Sequence, residues 1–116
     1  MTASASEPGS GPATFAADAG DTDGTWVLHV GGEIDVATAP QLRRELHQLA
    51  DRGATTIVVD LAGVSFVDSS GLGVLVGMLK RVREEGRDGE LVLENLREPV
   101  QKVFDITGLT QIFKIR

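Results

Sequence analysis

The chain contains no cysteine. A disulfide framework, a cysteine-based zinc site and a thiol nucleophile are thereby excluded. Basic residues are scarce: 11 Lys and Arg stand against 17 Asp and Glu, a net charge of −6. Nucleic acid and anionic membranes are recognised by clustered Lys and Arg, so neither is expected as the main partner. No apolar run approaches the roughly 18 residues of a membrane span. Met1–Ser6 has neither the basic flank nor the apolar stretch of a secretory signal, and the cytoplasm is the expected compartment. Eight of the 11 basic residues are Arg, which together with 14 Gly points to a GC-rich bacterial genome.

Signs of catalysis are also sparse. There is no Gly-Lys-Ser/Thr, hence no P-loop, and Gly71-x-Gly73-x-x-x-Gly77 lacks the spacing of a dinucleotide fingerprint. Ser69 and Ser70 lack the upstream glycine of a nucleophile elbow, and neither His29 nor His47 is an obvious base. His29 has no acidic neighbour at useful spacing and reads as a plain strand-face residue; His47 reads as part of a solvated helix face. Glu33 with Asp35, and Asp60 with Asp68, read as charged loop ends rather than acid/base pairs or metal ligands. No enzyme activity, metal or cofactor is expected.

What is present is enough for one packed domain: 116 residues, 41% hydrophobic and 24% charged. Its centre is Thr56–Gly77. Ile57, Val58 and Val59 form a β-branched run suited to a strand buried on both faces. Leu72, Leu75, Val76, Leu79 and Val82 then recur on a helical period. Between them lies a loop, residues 66–71, in which Asp68 and Ser69 are both strong N-cap types. A hydroxyl at that point faces unpaired backbone N–H groups and the positive end of the macrodipole, so an anion on Ser69 or Ser70 is tolerated locally. On a 100° wheel Val74 and Met78 fall off the core stripe beside Ser70, Gly77 and Arg81, a candidate partner-binding patch.

In chain order, residues 1–12 are Ser, Ala, Gly and Pro and read as a disordered tail, leaving 13–116 as the domain. Thr14–Ala17 and Thr25–Val30 flank turn residues 20–24 and read as a hairpin. Residues 31–35 form a loop. Thr38 with Gln41 predicts a capping box over a helix whose stripe is Leu42, Leu46, Leu49 and Ala50, ending at Gly53. After a polar break at 84–89 come a strand at Glu90–Glu94 and a helix opened by Pro99, with Val100, Val103, Phe104 and Thr107 inward. Gly108 closes that helix, and a last strand follows at Gln111–Ile115. The order β-β-α-β-α-β-α-β predicts an α/β fold, a mostly parallel or mixed sheet covered by helices.

Phe66-Val67-Asp68-Ser69-Ser70-Gly71-Leu72-Gly73 resembles the central block of the STAS domain, in particular that of bacterial anti-sigma factor antagonists. Gly32-Glu33-Ile34-Asp35, Val59-Asp60-Leu61 and Phe104–Leu109 extend the resemblance over roughly 13–115. It implies a STAS-like mixed sheet with helices mainly on one side. It implies a domain that, unphosphorylated, captures an anti-sigma factor serine kinase with a GHKL-type ATP site and frees a sigma factor. The kinase would phosphorylate the serine after the aspartate, here Ser69, and a PP2C-type phosphatase would reset it. Asp35, Asp68 and Ser70 would neighbour the phosphosite, and Ser70, Gly71, Val74, Gly77, Met78 and Arg81 would contribute to docking. The family's usual amphipathic helix after the last strand is not in this sequence, so either its groove stands open or a partner or a second copy, as a homodimer, fills it. Two alternatives remain open: a STAS scaffold or ligand-sensing module that is never phosphorylated, and a small enzyme with Ser69 or Ser70 as nucleophile.

Overall fold

Two strands, Thr14–Ala19 (β1) and Thr25–Ile34 (β2), form the expected antiparallel hairpin, with Phe15 opposite Val30 and Asp18 opposite Val27. Helix and strand then alternate: Ala39–Asp51 (α1), Thr56–Val67 (β3), Ser69–Glu84 (α2), Glu90–Glu94 (β4), Glu98–Thr107 (α3), a 3-10 turn at Leu109–Gln111, and Lys114–Ile115 (β5). The computed structural model describes residues 12–84 and 89–116. The expected tail, Pro12 apart, and the middle of the polar break at 84–89 lie outside the described residues.

The strands stand in chain order, β1-β2-β3-β4-β5; the first pair is antiparallel and the others are parallel. Each parallel neighbour is reached through a helix. Because every crossover steps to the next strand in the same direction, crossovers of one hand deliver all three helices to one face. Burial follows that geometry. Leu28, Val30, Ile57, Val59, Leu91 and Leu93 share a core with Leu46 of α1, Leu75 of α2 and Phe104 of α3. The intervening Val58 and Val92 are buried outside that core, on the opposite face, in register with Val27. The architecture is thus the mixed α/β sheet with helices on one side.

Several elements differ from expectation. The loop expected at 31–35 is mostly strand: β2 runs on to Ile34, with register shifts between His29 and Gly31 and between Gly32 and Glu33. Gly32 is required at this bulge, since its φ is +88° and an added Cβ would sit 2.5 Å from the Pro12 carbonyl oxygen. β3 likewise extends to Val67, because the lengthened β2 offers it backbone partners. At the other end the expected strand Gln111–Ile115 shrinks to two residues. There Phe113 turns into the core and meets Phe104 edge-on, ring centroids 5.8 Å apart, so the apolar run serves packing rather than sheet pairing. Thr107 is exposed instead of inward; its hydroxyl donates to the Val103 carbonyl at 2.7 Å.

His29 is not the plain strand residue its sequence neighbours suggest. The sheet brings Asp60 of β3 to its Nδ1 (2.8 Å) and Asp18 of β1 to its Nε2 (3.1 Å). The hydrogen bond to Asp60 raises the His29 pKa above 6.5; slight burial opposes it, and the charges of Asp60 and Asp18 add to it. For Asp60, burial pushes the carboxyl up, but hydrogen bonds from the Asn95 amide (2.9 Å), the Ala62 N–H (3.0 Å) and His29 outweigh that and bring it below 3.8. The raised His29 pKa means that its contribution is complete below about pH 6.5 and fades as pH rises through the folded value. The depressed Asp60 pKa means that its contribution is complete above about pH 4 and is lost as pH falls through the folded value. This clip between β1 and β3 is therefore strongest in mildly acidic solution. With the imidazole half exposed, His29→Gln is expected to cost about 0.5 kcal/mol near pH 5.5 and less above about pH 8. Melting temperatures of both proteins across that range check it; a gap that widens with pH contradicts it.

Candidate functional site

The site forms where β2 and β3 end side by side. Ile34 is in register with Val67, and the Asp68 N–H donates to the Ile34 carbonyl at 3.1 Å. That pairing sets Asp35 beside Asp68 at the carboxyl end of the sheet. The Asp68 carboxylate then accepts from the Ser70 N–H (2.8 Å) and the Gly71 N–H (3.3 Å). Asp68 is thus the N-cap of α2, and Ser69, Ser70 and Gly71 are its first three residues. Of the two capping types offered by the sequence, the aspartate takes the cap, and Ser69 is left exposed, its hydroxyl without a hydrogen-bond partner among the described residues. The first N–H groups of a helix have no intrahelical acceptor, so the Ser69 side chain sits in a locally positive field.

Asp35 is committed to its own turn. Its carboxylate accepts from the N–H groups of Ala37 (3.0 Å) and Thr38 (3.1 Å), while its own N–H donates to the Thr38 hydroxyl (2.9 Å). The capping box expected from Thr38 and Gln41 is absent. Thr38 precedes α1 in a helical conformation with no side-chain cap, because its hydroxyl donates back to the Glu33 carbonyl at 2.8 Å. Asp35 therefore shapes the loop that follows β2. Two exposed apolar side chains flank the same end of the sheet and were not singled out in the sequence: Val36, 74% exposed, and Phe66, 46% exposed. A large apolar residue inside a turn, directly after Asp35, is the signal that could have found Val36.

The expected docking patch divides. Ser70, Val74 and Gly77 line an open groove of about 330 Å³ between α2 and α1, whose far wall carries Arg43 and His47. Arg81 continues the line and ties the helices together, donating to Asp51 Oδ1 and to His47 Nδ1, each at 2.7 Å. His47 is accordingly half-buried in this cleft rather than on the solvated face. Met78 and Gly71 do not belong to the open patch. Met78 has 0% exposure, because α1 packs over the flank of α2 that a helical wheel leaves bare. Gly71 is buried where the first turn of α2 lies on the strand ends; an added Cβ would come within 2.6 Å of Ile34 Cγ2 and 2.8 Å of Val67 Cγ2. Among the described residues no group of three or more His, Asp or Glu is placed to hold a metal ion.

Residues 16–116 match the STAS domain. This chain belongs to the STAS domain family. The anti-sigma-B factor antagonist of Bacillus subtilis (strain 168) is 49% identical over 88 residues, 76% of this chain and 78% of that protein. Among solved structures, the anti-sigma factor antagonist SpoIIAA in its unphosphorylated form superimposes with a TM-score of 0.72 at 30% identity, covering 89% of this chain and 88% of the other. The Bacillus cell fate determinant SpoIIAA in its phosphorylated form gives 0.66 at 29% identity, covering 89% and 91%. Within this STAS domain, the Asp-Ser-Ser-Gly segment is the point at which cap, exposed hydroxyl and close helix–strand packing coincide. No helix among the described residues is long and apolar enough to cross a membrane.

Proposed function

We propose that this STAS domain is an anti-sigma factor antagonist working by partner switching. Unphosphorylated, it captures an anti-sigma factor that is also a serine kinase, and the sigma factor is released. Phosphorylation of Ser69 by that kinase ends the capture, and a PP2C-type phosphatase restores it. The domain itself performs no chemistry. The observation that carries this reading is the exposed Ser69 hydroxyl on the first residue of α2, unbonded among the described residues and beside a neighbour that already serves as the cap.

A phosphate there adds about −1.5 to −2 charges at pH 7. Although Asp68 already takes the Ser70 and Gly71 N–H groups, the positive end of the helix dipole favours such an anion, so the fold is kept. The new charge is then felt by whatever docks at this end of the sheet, next to the carboxylates of Asp68 and Asp35. Intact-mass measurement after incubation with the purified kinase and ATP is expected to find one phosphoryl group, mapped by fragmentation to Ser69, and none on Ser69→Ala. Phosphate carried only elsewhere would refute the site. Equal kinase affinity for wild type, Ser69→Ala and Ser69→Asp would favour a scaffold or ligand-sensing module instead.

A further inference from the structure

The groove between α1 and α2 lies one to two turns along α2 from Ser69. Its floor is Ser70, Gly73, Val74 and Gly77, and its far wall is Arg43 and His47. Gly73 and Gly77 are one helical turn apart, and an added Cβ at either would meet nothing within 4 Å. The two glycines are thus not demanded by packing inside the domain. In a helix interior each is unfavourable relative to alanine, and what they secure is an open channel through which another backbone can approach closely.

The charge of the channel is equally distinctive. The chain as a whole carries −6, yet among the described residues no carboxylate lines this groove. Arg81 at its end is matched by Asp51 at 2.7 Å. His47 is likewise engaged, its Nδ1 lying 2.7 Å from an Arg81 guanidinium nitrogen. Arg43 is left on the wall with no hydrogen bond or ion pair among the described residues. A guanidinium presents a planar fork suited to a carboxylate.

We infer that this groove is a second contact of the docking site and receives an acidic side chain of the protein partner, an aspartate or glutamate that pairs with Arg43 while the partner's backbone lies against Gly73 and Gly77. The partner's identity as the anti-sigma factor kinase rests on the function proposed above. Ser69 then supplies the switch, and the groove supplies affinity and partner selection.

The test measures affinity for the purified anti-sigma factor kinase of the same organism by titration calorimetry. Arg43→Glu is expected to weaken binding about tenfold or more, whereas Arg44→Glu, the same charge change on an exposed neighbour that does not line the groove, leaves it within about twofold. Charge reversal of one Asp or Glu on the kinase is expected to restore affinity for Arg43→Glu and for no other variant. Gly77→Leu is expected to bind about tenfold more weakly while melting no earlier than wild type, since its side chain fills empty space in a helix. If Arg43→Glu and Gly77→Leu bind like wild type while Ser69→Asp does not bind, the groove is no contact and the phosphoswitch stands. If both groove variants bind weakly while Ser69→Asp binds fully, the groove stands and the switch falls. A wild-type chain that does not bind the kinase overturns both.

Discussion

Met78→Ala is expected to destabilise the domain by about 2–5 kcal/mol, the range for removing a large apolar side chain from a core that relaxes only in part. Met78 has 0% exposure and belongs to the same buried cluster as Leu46, Leu75 and Phe104. Truncation leaves a void between α1 and α2 that neither helix can close without disturbing the Arg81 contacts to Asp51 and His47. For a domain of this size each kcal/mol shifts the melting temperature by roughly 4–8 °C, so the variant should melt roughly 8–40 °C earlier. Urea unfolding measures the loss directly, and the midpoint should fall without a change in slope. The discriminating observation is affinity per folded molecule. It should remain near wild type below the melting transition, because Met78 presents no surface to a partner. A variant with wild-type stability and weakened kinase binding would return Met78 to the docking face.

Ser69→Asp is expected to weaken kinase binding by more than about a hundredfold while changing stability by less than about 1 kcal/mol. Two effects compensate within the fold. A carboxylate in the first turn of α2 is favoured by the helix dipole, typically by about 0.3–1 kcal/mol. It also stands next to the Asp68 carboxylate, which already accepts two N–H groups of that turn, and close to Asp35, so like-charge repulsion offsets the gain. At an interface no such compensation exists. The added charge must be desolvated beside two carboxylates and the apolar Val36 and Phe66, and about 3 kcal/mol suffices for a hundredfold loss. Ser69→Ala should keep affinity within a few-fold, since the hydroxyl has no hydrogen-bond partner among the described residues. A melting temperature lowered well beyond the compensation argued here would show instead that Ser69, not Asp68, serves as the structural cap.

Much of this was legible because it is encoded in local periodicity. Leu42, Leu46, Leu49 and Ala50 sit on a helical stripe and are buried together in α1. The run Glu90–Glu94 is a strand to the residue, and Pro99 and Gly108 bracket the third helix where such residues are tolerated. Pro at a helix start and Gly after its end act within one turn of chain, so no distant partner is needed to read them. The segment Asp68-Ser69-Ser70-Gly71 was legible for the same reason, down to its place at a helix start.

What failed depended on neighbours in space. The Thr38–Gln41 box satisfies the local rule, but the loop after β2 claims the threonine hydroxyl first. The strand at Gln111–Ile115 has strand-like residues, but Phe113 is worth more against Phe104 than on the sheet. His29 finds its carboxylates 11 residues before it and 31 after it in the sequence, and only the sheet register joins them.

The sequence by itself determined where the three helices and most of the strands lie, that they alternate into a mixed sheet, and that Asp68 and the two serines after it stand at the mouth of the central helix, because each of these rests on residues within a few positions of one another. Only the tertiary structure decided which faces are open. Packing α1 across α2 buried Met78 and Gly71 stayed under the strand ends, while Val36 and Phe66 were left bare and Arg43 was set over a groove floored by Gly73 and Gly77. Exposure is a property of what lies next to a side chain in space, and no period along one chain segment carries that information.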